Sequence, residues 1–194
     1  MPAAPALASD SELLERIRRR NQSAFAELYD RYSSALFNYL LRLTHDQQAS
    51  EDLLQEVFLG CWRGARHFRG QASVKTWLFR IAHHQSVSWL RKHRQDSQAM
   101  ALESITADNT ESSWPENLVI ERWENAQLLE ALDVLSDKHR AVVELTFGQH
   151  FSYGEIAEIM DCPVGTVKSR MSYALRQLEG ELRRRSVTSS KDQF

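Results

Sequence analysis

Residues 151–178 read FSYGEIAEIMDCPVGTVKSRMSYALRQL, and this stretch predicts two helices joined by a tight turn. Ser152 and Glu155 form the pattern of a capping box, which marks where the first helix begins. Pro163 cannot continue the hydrogen bonds of a preceding helix, but it fits the first turn of a following one. A short helix, a tight turn and a longer basic helix are typical of proteins that place a helix in the major groove of DNA.

The second helix of this pair has two contrasting faces. Apolar residues that recur at steps of three and four predict its inward face: Val164, Val167, Met171, Ala174, Leu175 and Leu178. The opposite face carries Gly165, Lys168, Ser169, Ser172, Tyr173 and Arg176. Small residues permit close approach to DNA, and hydroxyl and ammonium groups can reach phosphates or base edges. A solvated amphipathic hairpin is the alternative, but the string GTVKSR directly after a proline turn favours DNA.

A second basic segment lies far upstream. Between Gly60 and Gln95 there are eight Lys or Arg residues, four His residues and no acid. The polar face of a predicted helix in this segment consists of Arg80, His84, Ser88 and Arg91. Aromatic residues accompany the cations and suit stacking on unpaired bases, although a place in the core is the alternative for them. Two separated basic segments indicate two contacts with nucleic acid.

Composition restricts the class of protein. The chain has 194 residues, 42% of them hydrophobic, with a net charge of −2, so it is not a basic protein that coats DNA. Two cysteines, Cys61 and Cys162, argue against a disulfide-stapled secreted domain. No signal peptide or membrane-spanning run is evident, and we therefore expect a cytosolic protein with no membrane insertion. The adjacent pair His83 and His84 does not share a helix face, so no metal site is predicted.

Helical periodicity runs through most of the chain and predicts an all-α fold of two small domains on a flexible acidic tether. Residues 10–94 form the first domain, with a fourth helix capped by Ser73. Residues 95–113 form the linker; the stretch from Gln95 to Leu118 holds five acids and no Lys, Arg or His. Residues 114–185 form the second domain, in which Ser136 begins a helix. Residues 1–9 and 186–194 are predicted to be disordered ends.

Three motifs carry a resemblance to a known family. They are DLLQEVF at 52–58, TWLFRIA at 76–82, and YGEIAEIM at 153–160 running into CPVGTVKSR at 162–170. With their order, spacing and the acidic linker, they resemble the extracytoplasmic-function (ECF, group IV) sigma factors of the sigma-70 family. The resemblance covers nearly the whole chain and implies sigma region 2 at 10–94 and region 4 at 114–185. It implies a promoter-specificity subunit, with no cofactor, that directs core RNA polymerase to the −10 and −35 elements of a dedicated, stress- or signal-responsive regulon.

The resemblance also implies roles for individual residues. Those expected to dock on the clamp of the largest polymerase subunit are Asp52, Gln55 and Glu56. Those expected at the −10 element, where a flipped base is captured, are Phe68, Arg69, Lys75, Arg80, His84 and Arg91. Those expected at the −35 element are Thr166, Lys168, Ser169, Arg170, Ser172, Tyr173 and Arg176. Relatives usually have Asn where this chain has His84, and often Asp where it has Ser88; Ser172 and Tyr173 also depart from the family pattern, so both base preferences are expected to differ.

Further partners follow from the resemblance alone. Region 4 is expected to contact the flap of the second-largest polymerase subunit, and the linker to thread towards the active centre and RNA exit path. An anti-sigma factor, often membrane-bound, is expected to cover the polymerase-binding surfaces and to hold the protein at the inner face of the membrane.

Three other classes of protein fit the sequence less well. A sigma-mimic that sequesters an anti-sigma factor would lose cations that contact DNA, whereas Arg80, Arg91, Lys168, Arg170 and Arg176 remain. A dimeric helix-turn-helix repressor leaves the basic first domain and the acidic linker unexplained. An enzyme would need a phosphate loop, a nucleophile–base set or metal-ligand spacing, and the sequence offers none of these.

Overall fold

The computed structural model describes residues 8–101, 132 and 134–189, with side chains described for 8–94, 132, 134–181, 183 and 184. Every regular element in these ranges is helical, which confirms the all-α prediction. No helix in the described part is long and apolar enough to cross a membrane.

Four helices form the first domain: α1 (Asp10–Arg18), α2 (Gln22–Thr44), α3 (Gln47–Gly64) and α4 (Val74–Ala101). Polar side chains fix where they begin. The Asp46 carboxylate accepts a hydrogen bond from the backbone N–H of Ala49 at 2.9 Å, and the Ser73 hydroxyl accepts one from that of Thr76 at 3.0 Å. Each bond satisfies a backbone donor that the first turn of a helix leaves unpaired. The predicted cap at Ser73 is therefore confirmed.

The core of this domain follows the helical spacing of its apolar residues. In α3 the apolar residues at helical spacing are buried: Leu53, Leu54, Val57, Phe58 and Cys61. Phe79 is also fully buried in α4, whereas Trp77 and Trp89 are half-buried and pack against the edge of the core. The aromatic residues of the upstream basic segment therefore serve largely as core.

Helix α4 continues seven residues beyond Arg94, where the sequence places the end of the first domain. The helical hydrogen bonds thus extend into the stretch predicted as linker. The rest of that stretch, and residues 114–131 of the predicted second domain, lie outside the described residues.

The second domain contains α5 (Asp137–Val143), a π-helical turn (Glu144–Gly148), α6 (Tyr153–Ile159) and α7 (Val164–Ser189). The capping box predicted at the start of α6 is confirmed, since the hydroxyl of Ser152 and the carboxylate of Glu155 each bond to the other's backbone N–H. Ser136 stands at the cap position of α5, but its hydroxyl pairs with Nδ1 of His139 at 2.8 Å instead of with a backbone N–H.

The two domains pack against each other. Helix α4 contacts α6, and the rings of Phe79 and Phe151 meet edge to face with 5.1 Å between their centroids. The helix-turn-helix therefore lies beside the basic segment of the first domain.

Candidate nucleic-acid and polymerase interfaces

Helix α7 presents the polar face that its sequence predicts. The exposed side of its first turns consists of Gly165, Lys168, Ser169, Ser172, Tyr173 and Arg176. On the inner side, Val167, Met171 and Ala174 are buried, and the helix is thereby fixed on α5 and α6. The inward placement of Val164 and Leu175 is wrong, since they are 41% and 46% exposed. Both lie at the margins of the apolar stripe, where no element in the described part of the chain covers them.

Local contacts hold several of these side chains in place. The ring of Tyr173 stacks on His139, with 4.6 Å between their centroids. The hydroxyl of Ser169 donates to the carbonyl oxygen of Thr166 at 3.0 Å, and Nε of Arg176 donates to that of Ser172 at 3.4 Å. The exposed face therefore combines three small residues, an ordered aromatic ring and two cations, a mixture that suits both phosphates and base edges.

Arg170 differs from its neighbours on α7. It is half-buried, and it lines a groove of about 650 Å³ between the two domains together with His83, His84 and Arg91. Its Nη1 lies 3.7 Å from Sγ of Cys162, in the turn before α7. The predicted −35 set is thus split in this structure, since Arg170 faces the first domain while Lys168 and Arg176 face outwards.

The predicted polar face of α4 is confirmed by exposure: Arg80, His84, Ser88 and Arg91 all lie on its open side. At the start of this surface, Phe68 is half-buried against Trp77, with 5.0 Å between ring centroids, and Arg69 is exposed. Phe68 therefore contacts α4, the helix whose open side carries Arg80, His84 and Arg91.

Two of these residues face elements of the second domain. The ammonium of Lys75 donates to the carbonyl oxygen of Gln149 at 2.7 Å and lies 4.5 Å from the centre of the Phe151 ring. A guanidinium nitrogen of Arg80 lies 3.8 Å from the carboxylate of Asp161. The second domain thus covers part of the surface predicted to meet DNA.

His83, next to His84 in sequence, is a core residue. Its Nδ1 pairs with the hydroxyl of Tyr39 at 2.9 Å. Burial lowers the pKa of His83 to about 4, and the neighbouring charges of His84 and Arg170 act in the same direction, so the ring is neutral at pH 7. Within the described residues, no three His, Cys, Asp or Glu side chains are grouped so that they could hold a metal ion.

Asp52, Gln55 and Glu56 form one exposed patch on α3. They lie opposite the apolar residues that pack α3 into the core, and Leu59, 41% exposed, continues the patch by one turn. The patch combines negative charge with an accessible apolar side chain, which suits a protein partner with a basic surface.

Comparison with known proteins places these surfaces in a family. The family model described as "Sigma-70 region 2" matches residues 28–95, and that described as "Sigma-70, region 4" matches residues 131–179. The chain belongs to the sigma-70 family, in its extracytoplasmic-function group. The chain is 32% identical over 180 residues to the ECF RNA polymerase sigma factor SigK of Mycobacterium tuberculosis, covering 92% of this chain and 96% of SigK. It is 30% identical over 176 residues to the RNA polymerase sigma factor YlaC of Bacillus subtilis, covering 90% and 98%.

Solved structures show the same fold. The sigma factor RpoE, in complex with the anti-sigma factor NepR from Bartonella quintana, is 26% identical and superposes with a TM-score of 0.64 over 82% of this chain and 96% of RpoE. CnrH, in complex with the cytosolic domain of CnrY, is 22% identical, with a TM-score of 0.67 over 90% of this chain and 97% of CnrH. As a sigma factor, the chain is an initiation subunit of RNA polymerase that binds core enzyme and promoter DNA, and it is not an enzyme itself.

One pair of residues in this sigma factor was missed from its sequence. Arg42 in α2 binds Glu144 in the π-helical turn, across 102 positions of the chain. The local signal is the position of Glu144 within the apolar run AVVELTF. An acid at such a position is expected to be buried only if it is paired with another group. Its partner belongs to the other domain and has no spacing relation to it.

Proposed function

We propose that this sigma factor directs RNA polymerase to a dedicated set of promoters by reading the −10 element with region 2 and the −35 element with region 4. The observation that carries this proposal is the pair of exposed faces on α4 and α7. Arg80, His84 and Arg91 share one face, and Lys168 and Arg176 share the other. Each face places cations at helical spacing on a helix whose other side is fixed in a core, so that its position is defined before DNA binds.

Region 2 supplies both stacking and charge at the −10 element. Phe68, Arg69 and Lys75 lie at the start of this surface, and His84 occupies the middle of the α4 face. An extruded base costs a few kcal/mol to unstack, and contact with an aromatic side chain offsets part of that cost. His84 offers imidazole nitrogens where relatives offer an amide, and we expect a corresponding change in the preferred −10 base.

Region 4 reads the −35 element in the major groove. Thr166, Lys168, Ser169 and Ser172 lie within the first nine residues of α7, where a recognition helix meets base edges. Arg170 belongs to the same helix but is half-buried, and it lines the groove that also contains His83 and His84. Tyr173 is stacked on His139, so that it offers the edge of an ordered ring to the DNA backbone.

The acidic patch Asp52, Gln55 and Glu56 docks on the clamp of the largest polymerase subunit, while region 4 contacts the flap of the second-largest subunit. The patch is exposed and lies on α3, away from the contact between the two regions. We further propose that an anti-sigma factor controls this protein in response to a stress or another signal, and holds it at the inner face of the membrane where the anti-sigma factor is membrane-bound. Support comes from RpoE of Bartonella quintana, which was solved with its anti-sigma factor NepR.

Run-off transcription tests the proposal. Purified core RNA polymerase of the source organism transcribes sheared genomic DNA of that organism with and without this protein. New, discrete start sites that share two upstream elements are expected. Binding to core enzyme without new starts would favour a sigma-mimic adaptor, and the proposal would then fail.

A further inference from the structure

The ring of His139 packs against the ring of Tyr173. Their centroids lie 4.6 Å apart, and the two ring planes are inclined by only 29°. His139 belongs to the first turn of α5, whereas Tyr173 lies on the exposed face of α7 and is 45% exposed. Aromatic pairs at such a distance gain energy beyond the area that they bury, so the contact favours one direction of the Tyr173 side chain.

The imidazole of His139 is held in turn by the start of its own helix. The hydroxyl of Ser136 pairs with Nδ1 of His139 at 2.8 Å, and the backbone N–H of His139 donates to the carbonyl oxygen of Ser136 at 2.9 Å. Partial burial lowers the pKa of His139, and the charges of Arg170 and Lys138 act in the same direction, so the ring is largely neutral at pH 7. His139 therefore presents an uncharged ring in a defined orientation.

The helices that carry the two rings are fixed relative to each other by the core of region 4. Helices α5 and α7 pack directly on each other, and apolar residues of both are buried: Ala141 and Val142 in α5, Val167, Met171 and Ala174 in α7. The stack therefore ties the exposed face of α7 to a helix that lies outside the helix-turn-helix.

The hydroxyl of Tyr173 has a proton that it can donate. Nε2 of Gln177, one turn further along α7, donates to this hydroxyl oxygen at 3.4 Å. A phenol hydroxyl both accepts and donates, so its own proton remains available for a phosphate oxygen. Tyr173 lies one turn from both Ser169 and Arg176 on the face proposed to meet the −35 element. Hydrogen bonds of tyrosine to DNA phosphates fix how a protein sits on the duplex.

We propose that His139 is a positioning residue for the −35 contact: it holds the ring of Tyr173 so that the phenol hydroxyl donates to a phosphate of the DNA backbone. Ser136 orients His139, and Tyr173 makes the contact. Without the stack, the Tyr173 side chain samples other rotamers and has to be ordered when DNA binds, which lowers affinity. This inference rests on the proposed function of α7 as the −35 recognition helix.

A double-mutant cycle on DNA binding tests this inference. Holoenzyme with each variant binds a duplex that carries the upstream element mapped by run-off transcription. His139→Ala removes the stack, Tyr173→Ala removes the ring and its hydroxyl, and a third variant combines both changes. His139→Phe keeps an aromatic ring but lacks the imidazole nitrogens. Lys138→Ala is the matched control, because it changes the exposed neighbour of His139 in the same turn of α5.

Tyr173→Ala is expected to lower affinity by about tenfold or more, because a hydrogen bond to a charged phosphate is lost. His139→Ala lowers it by roughly two- to tenfold in the parent, the range of an aromatic pair, and has no further effect once Tyr173 is alanine. His139→Phe recovers most of the affinity. The effect of Lys138→Ala is the same with and without the Tyr173 ring.

Three results of the cycle would overturn the inference. Equal losses from His139→Ala with and without the Tyr173 ring would show that His139 acts independently of Tyr173. A shallower dependence of affinity on salt in His139→Ala would show that His139 meets a phosphate itself as a cation. Unchanged affinity in Tyr173→Ala would leave His139 with no contact to position.

Nuclear magnetic resonance of the free protein checks the geometry without DNA. The ring resonances of Tyr173, assigned by their loss in Tyr173→Ala, are expected to carry a ring-current shift from His139. This shift disappears in His139→Ala, persists in His139→Phe and decreases in Ser136→Ala, and the same spectra report whether each variant is folded. An unchanged shift in a folded His139→Ala would contradict the stack. Run-off transcription with the parent protein reports separately on the proposed function, so that the two failures are distinguishable.

Discussion

Lys168→Ala provides a direct test of the −35 surface. Lys168 lies in the second turn of α7 on its exposed face, and it contributes one positive charge. If its ammonium meets one phosphate, the variant loses one released counterion, and the slope of log K against log salt becomes shallower by about 0.9. Between 50 and 200 mM salt, this difference changes the relative affinity of the parent and the variant by about 3.5-fold.

The assay measures how holoenzyme binds a duplex that carries the upstream element mapped by run-off transcription, at several salt concentrations. Holoenzyme is used because a sigma factor binds promoter DNA as a subunit of RNA polymerase. Arg184→Ala is the matched control, because it removes the same charge from the same helix. It lies 16 residues further along, about 24 Å away at 1.5 Å per residue, well beyond a Debye length of about 10 Å. Equal slopes for Lys168→Ala and the parent would refute the phosphate contact.

Four further outcomes are expected. Tyr39→Phe destabilises the protein by about 1–3 kcal/mol in urea unfolding, because it leaves the buried Nδ1 of His83 without its hydrogen bond. Burial lowers the pKa of His83 to about 4, so between pH 4 and 6.5 the unfolded chain binds more protons than the folded one. The contribution of His83 to stability is therefore full above pH 6.5 and is lost as the pH drops towards 4, and denaturant unfolding at a series of pH values measures it. Ser152→Ala costs about 1 kcal/mol in thermal unfolding, since it removes the capping box of α6, whereas Ser136→Ala costs less because its hydroxyl bonds to no backbone N–H. Glu56→Arg weakens binding to core RNA polymerase in a direct binding assay, because it reverses charge on the proposed clamp-docking patch.

Each of these predictions has a contradicting result. An unchanged urea midpoint in Tyr39→Phe would show that the hydroxyl adds nothing to stability. If a His83→Gln variant loses stability with falling pH to the same extent as the parent, His83 does not cause the pH dependence. An equal loss of thermal stability in Ser152→Ala and Ser136→Ala would show that the capping bond of Ser152 does not account for its contribution. Unaltered polymerase affinity in Glu56→Arg would exclude the patch on α3 as the clamp-docking surface.

Much of the candidate site could be predicted from sequence because its signals are local. The polar face of α4 follows from helical periodicity alone, and so does most of α7. Periodicity fails at the margins of a stripe: Val164 and Leu175 have apolar spacing, but their burial depends on whether another element reaches them. The end of α4 shows a related limit of sequence reasoning. Apolar periodicity stops near Arg94 because the helix no longer packs against the core, but the backbone hydrogen bonds of the helix continue beyond that point.

The sequence by itself determined the all-α class, the caps at Ser73 and Ser152, the two basic faces and the motifs of the family, because each depends on residues within a few turns of one another. Only the tertiary structure decided that Glu144 meets Arg42 and that Lys75 meets the backbone of Gln149. Such pairs join positions that no periodicity relates, and their strength comes from burial, which exists only once the two regions are in contact. Residue chemistry therefore defines what each surface of this sigma factor can bind, and packing between the regions decides whether that surface is available.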